Sequence, residues 1–250
     1  MPHVVHAGVR IHYAVQGDGP PLVLHHGSGS NSAAWIQQGY AKVLRARYRL
    51  ILIDARGHGQ SDKPHDPSAH TLELRVGDVT CVLDALEIQR AHFFGYSMGG
   101  WIGFGIAKYA SHRLRSLIIG GAHPYADQAI TEVELSNSDD RSFLTAMERV
   151  LGEPLAPETQ RFLLRNDRIS VLASLKERAA ISEVRLPADV SALLFAGSAD
   201  RRHDWVERAA AAIPGAQFVS LPELGHLATF ARADLVLPHV TRFLDCVESS

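Results

Sequence analysis

The chain has 250 residues, of which 46% are hydrophobic and 21% are charged, a balance typical of a folded domain with a sizeable core. Its 25 basic and 27 acidic side chains give a formal net charge of -2, which excludes the strong positive field that recruits nucleic acid or anionic lipid. No apolar run reaches the roughly 18 residues that span a bilayer, and the first residues lack a signal-peptide pattern. We therefore expect a cytoplasmic protein that acts on a small, roughly neutral molecule, with no nucleic-acid or membrane partner.

The first strand is predicted from the alternation of apolar and polar residues in VRIHYAVQG, residues 9–17. A turn-forming Gly17-Asp18-Gly19-Pro20 follows it, which indicates an antiparallel hairpin strand. Six later segments hold short, nearly continuous apolar runs, as do strands of a parallel sheet that helices cover on both faces. In chain order these are PPLVLHHG, YRLILIDARGHG, AHFFGYS, LRSLIIGGA, SALLFAG and AQFVSLPELGH.

Segments with helical spacing lie between these strands, for example TLELRVGDVTCVLDALEI at residues 71–88. The alternation predicts an α/β fold with a mostly parallel, doubly wound sheet. It is interrupted between residues 122 and 186 by several short amphipathic helices, broken at Gly152, Pro154 and Pro157. We predict a core domain of residues 1–121 and 187–250, with a helical insertion at 122–186 over it.

The two cysteines, Cys81 and Cys246, lie far apart and have no Cys/His spacing of a metal site. We expect both to be reduced, buried thiols. The sequence indicates no metal and no cofactor, and it does not reveal an oligomeric state.

One serine lies between two glycines in the segment Gly95-Tyr96-Ser97-Met98-Gly99, after an apolar run and before GGWIGFGIAKYASHRL, which has helical spacing. Strand, sharp turn and helix are the setting of a nucleophile elbow. In such a turn the serine backbone is strained, and glycines are needed because a Cβ would collide with the neighbouring strand or helix. We predict that Ser97 is a nucleophile exposed at the carboxyl end of the sheet.

A serine nucleophile needs a base to take its proton and an acid to orient that base. Of the 14 histidines, His226 follows the last predicted strand, and Asp200 follows the preceding one. Asp189 and Asp204 are less well placed. The order Ser97, Asp200, His226 is the one expected for a triad on this kind of sheet.

The oxyanion of the tetrahedral intermediate needs backbone donors. One should be the N–H of Met98, directly after the nucleophile. The other should come from the loop after the strand PLVLHHG, where Gly27, Ser28 and Gly29 follow. We favour the N–H of Ser28.

These residues resemble those of the α/β-hydrolase superfamily, in the subgroup with a helical cap. The resemblance covers nearly the whole chain and rests on His26-Gly27, on DARGHGQSDKP at residues 54–64 and on GYSMGG at residues 95–100. It implies that the insertion is the cap and that substrate binds between cap and sheet. It also implies that the motif around Arg56 and His58 braces a loop without taking part in catalysis.

Other histidines and the apolar insertion residues are expected to have no catalytic role. His26 should be structural and His203 a surface residue, whereas His25 replaces a commoner apolar residue of the family and is a candidate to face the pocket. The apolar residues of the insertion are expected to pack against one another rather than to hold substrate: Phe143, Leu144, Met147, Phe162 and Leu163.

The resemblance and the triad together predict hydrolysis of a small ester through an acyl-enzyme. Dehalogenases and epoxide hydrolases of this fold use a carboxylate nucleophile and are disfavoured by Ser97. A similar triad is used by enol-lactonases, carbon–carbon bond hydrolases and perhydrolases. A slow-turnover ligand sensor would show the same sequence motifs, so all of these alternatives stay open. An enol-lactonase would need an arginine for the substrate carboxylate, and the candidates are Arg141, Arg161, Arg165 and Arg168.

Overall fold

A computed structural model describes residues 2–134, 136, 139–182 and 184–249. These residues form one eight-stranded sheet with helices on both faces. The strands are, in chain order, β1 (His3–His6), β2 (Val9–Gln16), β3 (Pro21–His25), β4 (Arg49–Ile53), β5 (Ala91–Tyr96), β6 (Leu114–Gly120), β7 (Ser191–Gly197) and β8 (Gln217–Leu221).

The order across the sheet is β1-β2-β4-β3-β5-β6-β7-β8. Strand β2 is antiparallel to β1 and β4, and all neighbours from β4 to β8 are parallel. The predicted antiparallel strand and the mostly parallel sheet are therefore confirmed. Because the carboxyl ends of parallel strands meet at one edge, the loops after β3, β5, β7 and β8 converge there.

Helices cover the apolar side chains of both sheet faces, and the helices between β6 and β7 pack mainly against one another. The helices are, in chain order, α1 (Ala33–Gln37), α2 (Tyr40–Leu44), α3 (Leu72–Ala85), α4 (Met98–Tyr109), α5 (Gln128–Thr131), α6 (Asp140–Leu151), α7 (Pro157–Leu163), α8 (Arg168–Lys176), α9 (His203–Ala211), α10 (His226–Ala231) and α11 (Ala233–Glu248). Helices α3, α4 and α9 cover one face, and α1, α2 and α11 cover the other. Short 3₁₀ turns occur at Pro67–His70 and Ser111–Arg113.

Helices α5 to α8 all lie between β6 and β7, where the sequence predicts an insertion. Aspartates before α6 and α8 cap them: Asp139 accepts from the Ser142 N–H and Asp167 from the Ser170 N–H, each at 3.0 Å. Gly152, at φ 81°, ends α6 in the left-handed conformation that glycine favours. The division into a core and an insertion at residues 122–186 stays a prediction.

The predicted packing residues of this segment form a separate apolar cluster. Phe143, Met147 and Leu163 are buried in it, and the half-buried Leu144 packs against it. Phe162 is half-buried and lies outside the cluster. Packing is thus confirmed for four of the five residues.

The prediction that both cysteines are buried is wrong. Cys81 is half-buried on α3 and Cys246 is exposed near the end of α11. Cys81 packs at the margin of the core on α3, and the high average burial of cysteine does not reveal either position. No described helix has the length and apolar character needed to cross a membrane.

Trp35→Ala tests the aromatic packing on the face that α1, α2 and α11 cover. The Trp35 ring is fully buried, with the rings of Tyr40, Phe94 and Phe230 at 5.1, 4.7 and 5.0 Å. We expect the variant to lose about 3–5 kcal/mol of unfolding free energy in urea titrations, because a large cavity replaces the ring. Trp205→Ala is the control, since Trp205 is 44% exposed. Equal losses in the two variants would contradict this packing.

Candidate active site

Ser97 links the end of β5 to the start of α4 through a single residue of unusual backbone geometry. Its φ of 55° and ψ of -113° lie in a region that residues with a Cβ rarely adopt. The Ser97 N–H donates to the Gly120 carbonyl of β6 at 2.8 Å, which fixes the turn to the neighbouring strand. The side chain is thereby directed to the carboxyl edge of the sheet.

The glycines beside Ser97 leave room for backbone that passes very close. A Cβ at Gly95 would overlap the Gly99 carbonyl, and a Cβ at Gly99 would overlap the His25 carbonyl. The sequence prediction that both positions exclude a side chain therefore agrees with the structure.

The three residues predicted as a triad lie together at this edge. The Nε2 atom of His226 is 3.0 Å from Ser97 Oγ, and its Nδ1 atom is 2.6 Å from Asp200 Oδ2. Asp200 follows β7, and His226 opens α10 after β8. All three side chains are buried, and Ser97 retains 6% exposure. This arrangement allows a proton to pass from a serine hydroxyl to an imidazole that a carboxylate orients.

Burial and charge set the protonation states of the pair behind Ser97. Burial lowers the pKa of His226 below its usual value, although the Asp200 charge opposes this shift. Burial would raise the pKa of Asp200, but His226 and Arg202 outweigh it and hold that pKa below its usual value. At neutral pH the imidazole is therefore free to accept a proton while the carboxylate is ionised.

The predicted oxyanion donors lie beside Ser97. Met98 is the first residue of α4, so its N–H has no acceptor within the helix. Among the described residues no acceptor is paired with the N–H of Met98 or of Ser28. The loop approaches closely, since a Cβ at Gly27 would lie 3.2 Å from Ser97 Cβ. Two backbone donors are thus available on the side where an oxyanion would form.

A small cleft of about 80 Å³, partly open to solvent, lies over Ser97. Its walls are largely apolar and contain no arginine or lysine among the described residues that line it. The lining residues are Gly27, Ser28, Ser30, Tyr96, Ser97, Leu151, His226, Leu227 and Phe230.

Three residues that the sequence analysis does not identify hold the triad in place, two through side chains and one, Arg202, through its backbone. The Tyr96 hydroxyl donates to the His226 carbonyl at 2.5 Å, and the Glu153 carboxylate accepts from the Leu227 N–H at 2.5 Å. The Arg202 N–H donates to Asp200 Oδ1 at 3.0 Å. Tyr96 directly precedes Ser97, and Arg202 lies two residues after Asp200, so their proximity to the triad could have been predicted. No feature of the sequence indicates that Glu153 lies near His226.

Structural roles agree with the predictions for the histidine and arginine of the two loop motifs. His26 Nδ1 donates to the Gly27 carbonyl at 2.8 Å, and its Nε2 accepts from the Ala55 N–H at 3.0 Å. Arg56 donates to both oxygens of Asp78, at 2.7 and 2.5 Å. His58 Nδ1 lies 3.1 Å from the Arg56 carbonyl. These bonds brace the loops after β3 and β4.

His25 does not line the cleft, so the expectation that it faces the pocket is wrong. It is 2% exposed and stacks on His26, with 5.6 Å between the ring centroids. Because side chains alternate between the two faces of a strand, the His25 ring points into the core that covers one face of the sheet and not into the cleft. Burial and the neighbouring His26 lower the pKa of His25 to about 3, so the ring is neutral.

The four candidate arginines of the insertion also lie away from the cleft. Arg141, Arg161 and Arg168 lie on helices α6, α7 and α8, whose apolar residues form the buried cluster, and Arg165 lies in the loop between α7 and α8. Arg141, Arg161 and Arg165 are exposed, and Arg168 is half-buried. None is therefore placed to hold a substrate carboxylate beside Ser97.

The other candidate acids and His203 make contacts away from Ser97. Asp189 pairs with Arg90 at 2.8 Å. His203 is half-buried rather than on the surface, and its ring nitrogens contact Asp204 at 2.9 Å and Ser220 at 2.8 Å. Among the described residues His203, Asp204 and Glu207 have donor atoms within 4.8 Å of one another. Because both His203 nitrogens are already bonded, we assign no metal to this group.

Comparisons with known proteins identify the family of the chain. Residues 20–168 match the family model described as the alpha/beta hydrolase fold. The 3-oxoadipate enol-lactonase 1 of Acinetobacter baylyi is 35% identical over 103 residues, which are 41% of this chain and 37% of that enzyme. The chain spans less than half of the length of several curated relatives that it matches.

Solved structures are similar over nearly the full chain. A hydrolase from Pseudomonas aeruginosa is 27% identical, with 97% of each chain covered and a TM-score of 0.79. The enol-lactonase from Burkholderia xenovorans is 25% identical, with 98% of this chain and 100% of that chain covered and a TM-score of 0.77. Because the family model matches more than half of the residues and the sheet has the corresponding architecture, the chain belongs to the α/β-hydrolase fold family.

Proposed function

We propose that the protein is a serine hydrolase that cleaves a small carboxylic ester through an acyl-enzyme. The observation that carries this proposal is the continuous contact from Ser97 Oγ to His226 at 3.0 Å and from His226 to Asp200 at 2.6 Å. The names of the hydrolase and enol-lactonase relatives are consistent with chemistry at a carbonyl group. The serine at the elbow argues against mechanisms that need a carboxylate nucleophile there.

Acylation begins when Ser97 Oγ attacks the ester carbonyl carbon and its proton passes to His226 Nε2. The carbonyl oxygen becomes an oxyanion, which the N–H groups of Ser28 and Met98 would stabilise. The tetrahedral intermediate then collapses, and the bond to the alcohol oxygen breaks. His226 returns its proton to that oxygen, so the alcohol leaves neutral and the acyl group stays on Ser97.

Deacylation repeats the sequence with water. His226 takes a proton from a water molecule, whose oxygen attacks the acyl carbonyl, and a second tetrahedral intermediate forms. When it collapses, the carboxylic acid leaves and the proton on His226 returns to Ser97. Throughout, the ionised Asp200 keeps Nδ1 of His226 protonated and stabilises the imidazolium.

The cleft favours a small, neutral substrate. Its apolar walls include Leu151, Leu227 and Phe230, and none of the described residues that line it is an arginine or a lysine. An uncharged ester or lactone fits this lining better than a substrate that carries its own carboxylate. Comparing neutral esters, lactones and vinylogous diketones in one hydrolysis assay would rank the alternatives with the same triad.

We also propose that residues 122–186 act as a cap over the cleft. Leu151, the last residue of α6, is one wall of the cleft. The Asn166 side chain donates to the Gly29 carbonyl at 3.0 Å, which joins the segment to the loop that holds Ser28. These two contacts support a role of the segment in shaping the cleft.

Ser97→Ala tests the nucleophile. Removing the hydroxyl removes the acyl-enzyme route, so we expect kcat for a short-chain p-nitrophenyl ester to fall by at least about 10⁴-fold. Ser116→Ala is the matched control, because Ser116 is a buried serine on β6 that bonds to His92 at 2.8 Å. Wild-type kcat in Ser97→Ala would refute the assignment.

The pH dependence tests the base. His226 must be neutral to accept the Ser97 proton, and burial lowers its pKa below the usual value. We therefore expect kcat/KM to rise with pH, with the midpoint of the rise below about 6.5. In Asp200→Asn the midpoint should move lower still, since the carboxylate that favours the imidazolium is lost. Rates measured between pH 4.5 and 8 check this, and a midpoint above pH 7 would contradict it.

A further inference from the structure

Arg75, on α3, is an arginine buried beneath the elbow and only 1% exposed. Its Nε donates to the His70 carbonyl at 2.7 Å and its Nη2 to the Ser174 carbonyl at 2.6 Å. Its Nη1 lies 3.1 Å from the sulfur of Met98. One guanidinium therefore joins α3, the first residue of the elbow helix α4 and the helix α8 of the proposed cap.

These three acceptors are all neutral. No described carboxylate oxygen lies within 4.0 Å of the Arg75 guanidinium, whereas the equally buried Arg56 is bonded to both oxygens of Asp78. Burial, followed by repulsion from Arg56, lowers the pKa of Arg75 to about 9. The side chain is therefore still a cation at neutral pH. Asp78 and Glu177 favour the cation only from a distance, and a buried charge without a carboxylate in direct contact is unfavourable for folding, so its presence here calls for a local reason.

The Met98 contact supplies that reason. Met98 is completely buried, and its N–H is one of the two donors assigned to the oxyanion. Methionine has a flexible side chain that does not fix its own position, and the bond from Arg75 anchors it. The cation also lies at the positive end of α4, where it adds to the field that favours an anion.

The same cation fixes the proposed cap relative to the elbow. Ser174, whose carbonyl accepts from Arg75, lies on α8, and the loop before α8 supplies Asn166, which bonds to Gly29. The Arg75 guanidinium is also 5.7 Å from the centre of the Trp101 ring on α4, and the Trp101 Nε1–H donates to the Ala179 carbonyl at 3.2 Å. The segment around α8 is therefore hydrogen-bonded to residues next to both assigned oxyanion donors, Ser28 and Met98.

We propose that Arg75 is a positioning residue for hydrolysis at Ser97, which anchors Met98 and adds positive potential where the oxyanion forms. This inference depends on the proposed function. It predicts an effect on the transition state and little effect on the binding of the neutral substrate, because the Arg75 charge interacts with the oxyanion and not with the ester.

Arg75→Gln and Arg75→Lys separate the charge from the hydrogen bonds. We expect Arg75→Gln to lower kcat for a p-nitrophenyl ester about tenfold, with KM changed less than about twofold, because both N–H donors to the oxyanion remain. A trifluoromethyl ketone, whose adduct on Ser97 carries an oxyanion, should bind about tenfold more weakly to this variant. Arg75→Lys keeps the charge, so its kcat and its affinity for the ketone should both be higher than those of Arg75→Gln.

Arg113→Gln is the control, since Arg113 also donates to two backbone carbonyls, those of Ile88 and Gln89 at 2.7 and 2.8 Å, but lies just before β6 at the opposite edge of the sheet from Ser97 and should leave kcat unchanged. Wild-type kcat and ketone affinity in Arg75→Gln would overturn the inference, as would a raised KM with unchanged kcat. If Arg75→Gln does not fold, Met98→Leu decides. That substitution conserves volume but removes the sulfur contact, so kcat should fall about threefold with KM unchanged, and wild-type kcat would overturn the inference.

Ser97→Ala in the same assays separates the two proposals. If Ser97→Ala is inactive while Arg75→Gln behaves as wild type, only the role of Arg75 is wrong. If Ser97→Ala retains turnover, the proposed function is wrong, and the inference about Arg75 is overturned with it.

Discussion

The Ser97 hydroxyl faces the cleft because the chain passes from β5 into α4 through a single residue of positive φ. This turn is tight enough that Gly95 meets the backbone of Gly99. A side chain at either glycine would push the strand and the helix apart and move the hydroxyl away from His226. The close packing of β5, α4 and the loop after β3 therefore comes first, and the geometry of the candidate site depends on it.

The sheet topology brings the other groups to the same place. Loops after β7 and β8 carry Asp200 and His226 to the edge where β5 ends, so residues far apart in sequence lie within hydrogen-bond distance. Burial keeps the imidazole neutral, and Arg202 with His226 keeps the carboxylate ionised. A neutral base beside an ionised acid at neutral pH is the state that activates a serine.

Much of the fold could be predicted because its signals are local. Continuous apolar runs predict the parallel strands. The glycines around Ser97 predict the sharp strand-to-helix turn of a nucleophile elbow. The order of the strand ends along the sequence also predicts that Asp200 and His226 lie near Ser97. Their catalytic roles stay predictions that the observed contacts support.

Other features depend on contacts that leave no sequence pattern. The sequence makes His25 a candidate for the cleft, but strand alternation buries it, and the four candidate arginines of the insertion do not line the cleft. Glu153, two residues after the end of α6, accepts a hydrogen bond from the Leu227 N–H beside His226. Arg75, on α3, contacts the sulfur of Met98. Such pairs meet only after the segment between β6 and β7 has packed onto the sheet, so their spacing in sequence carries no information about them.

The most direct measurement is covalent labelling with a fluorophosphonate probe, followed by mass mapping of the modified residue. An activated serine beside two oxyanion donors should take the label at Ser97 within minutes at neutral pH, and His226→Ala should react far more slowly. A label mapped to another residue, or an equal rate in His226→Ala, would contradict activation of Ser97 by this triad.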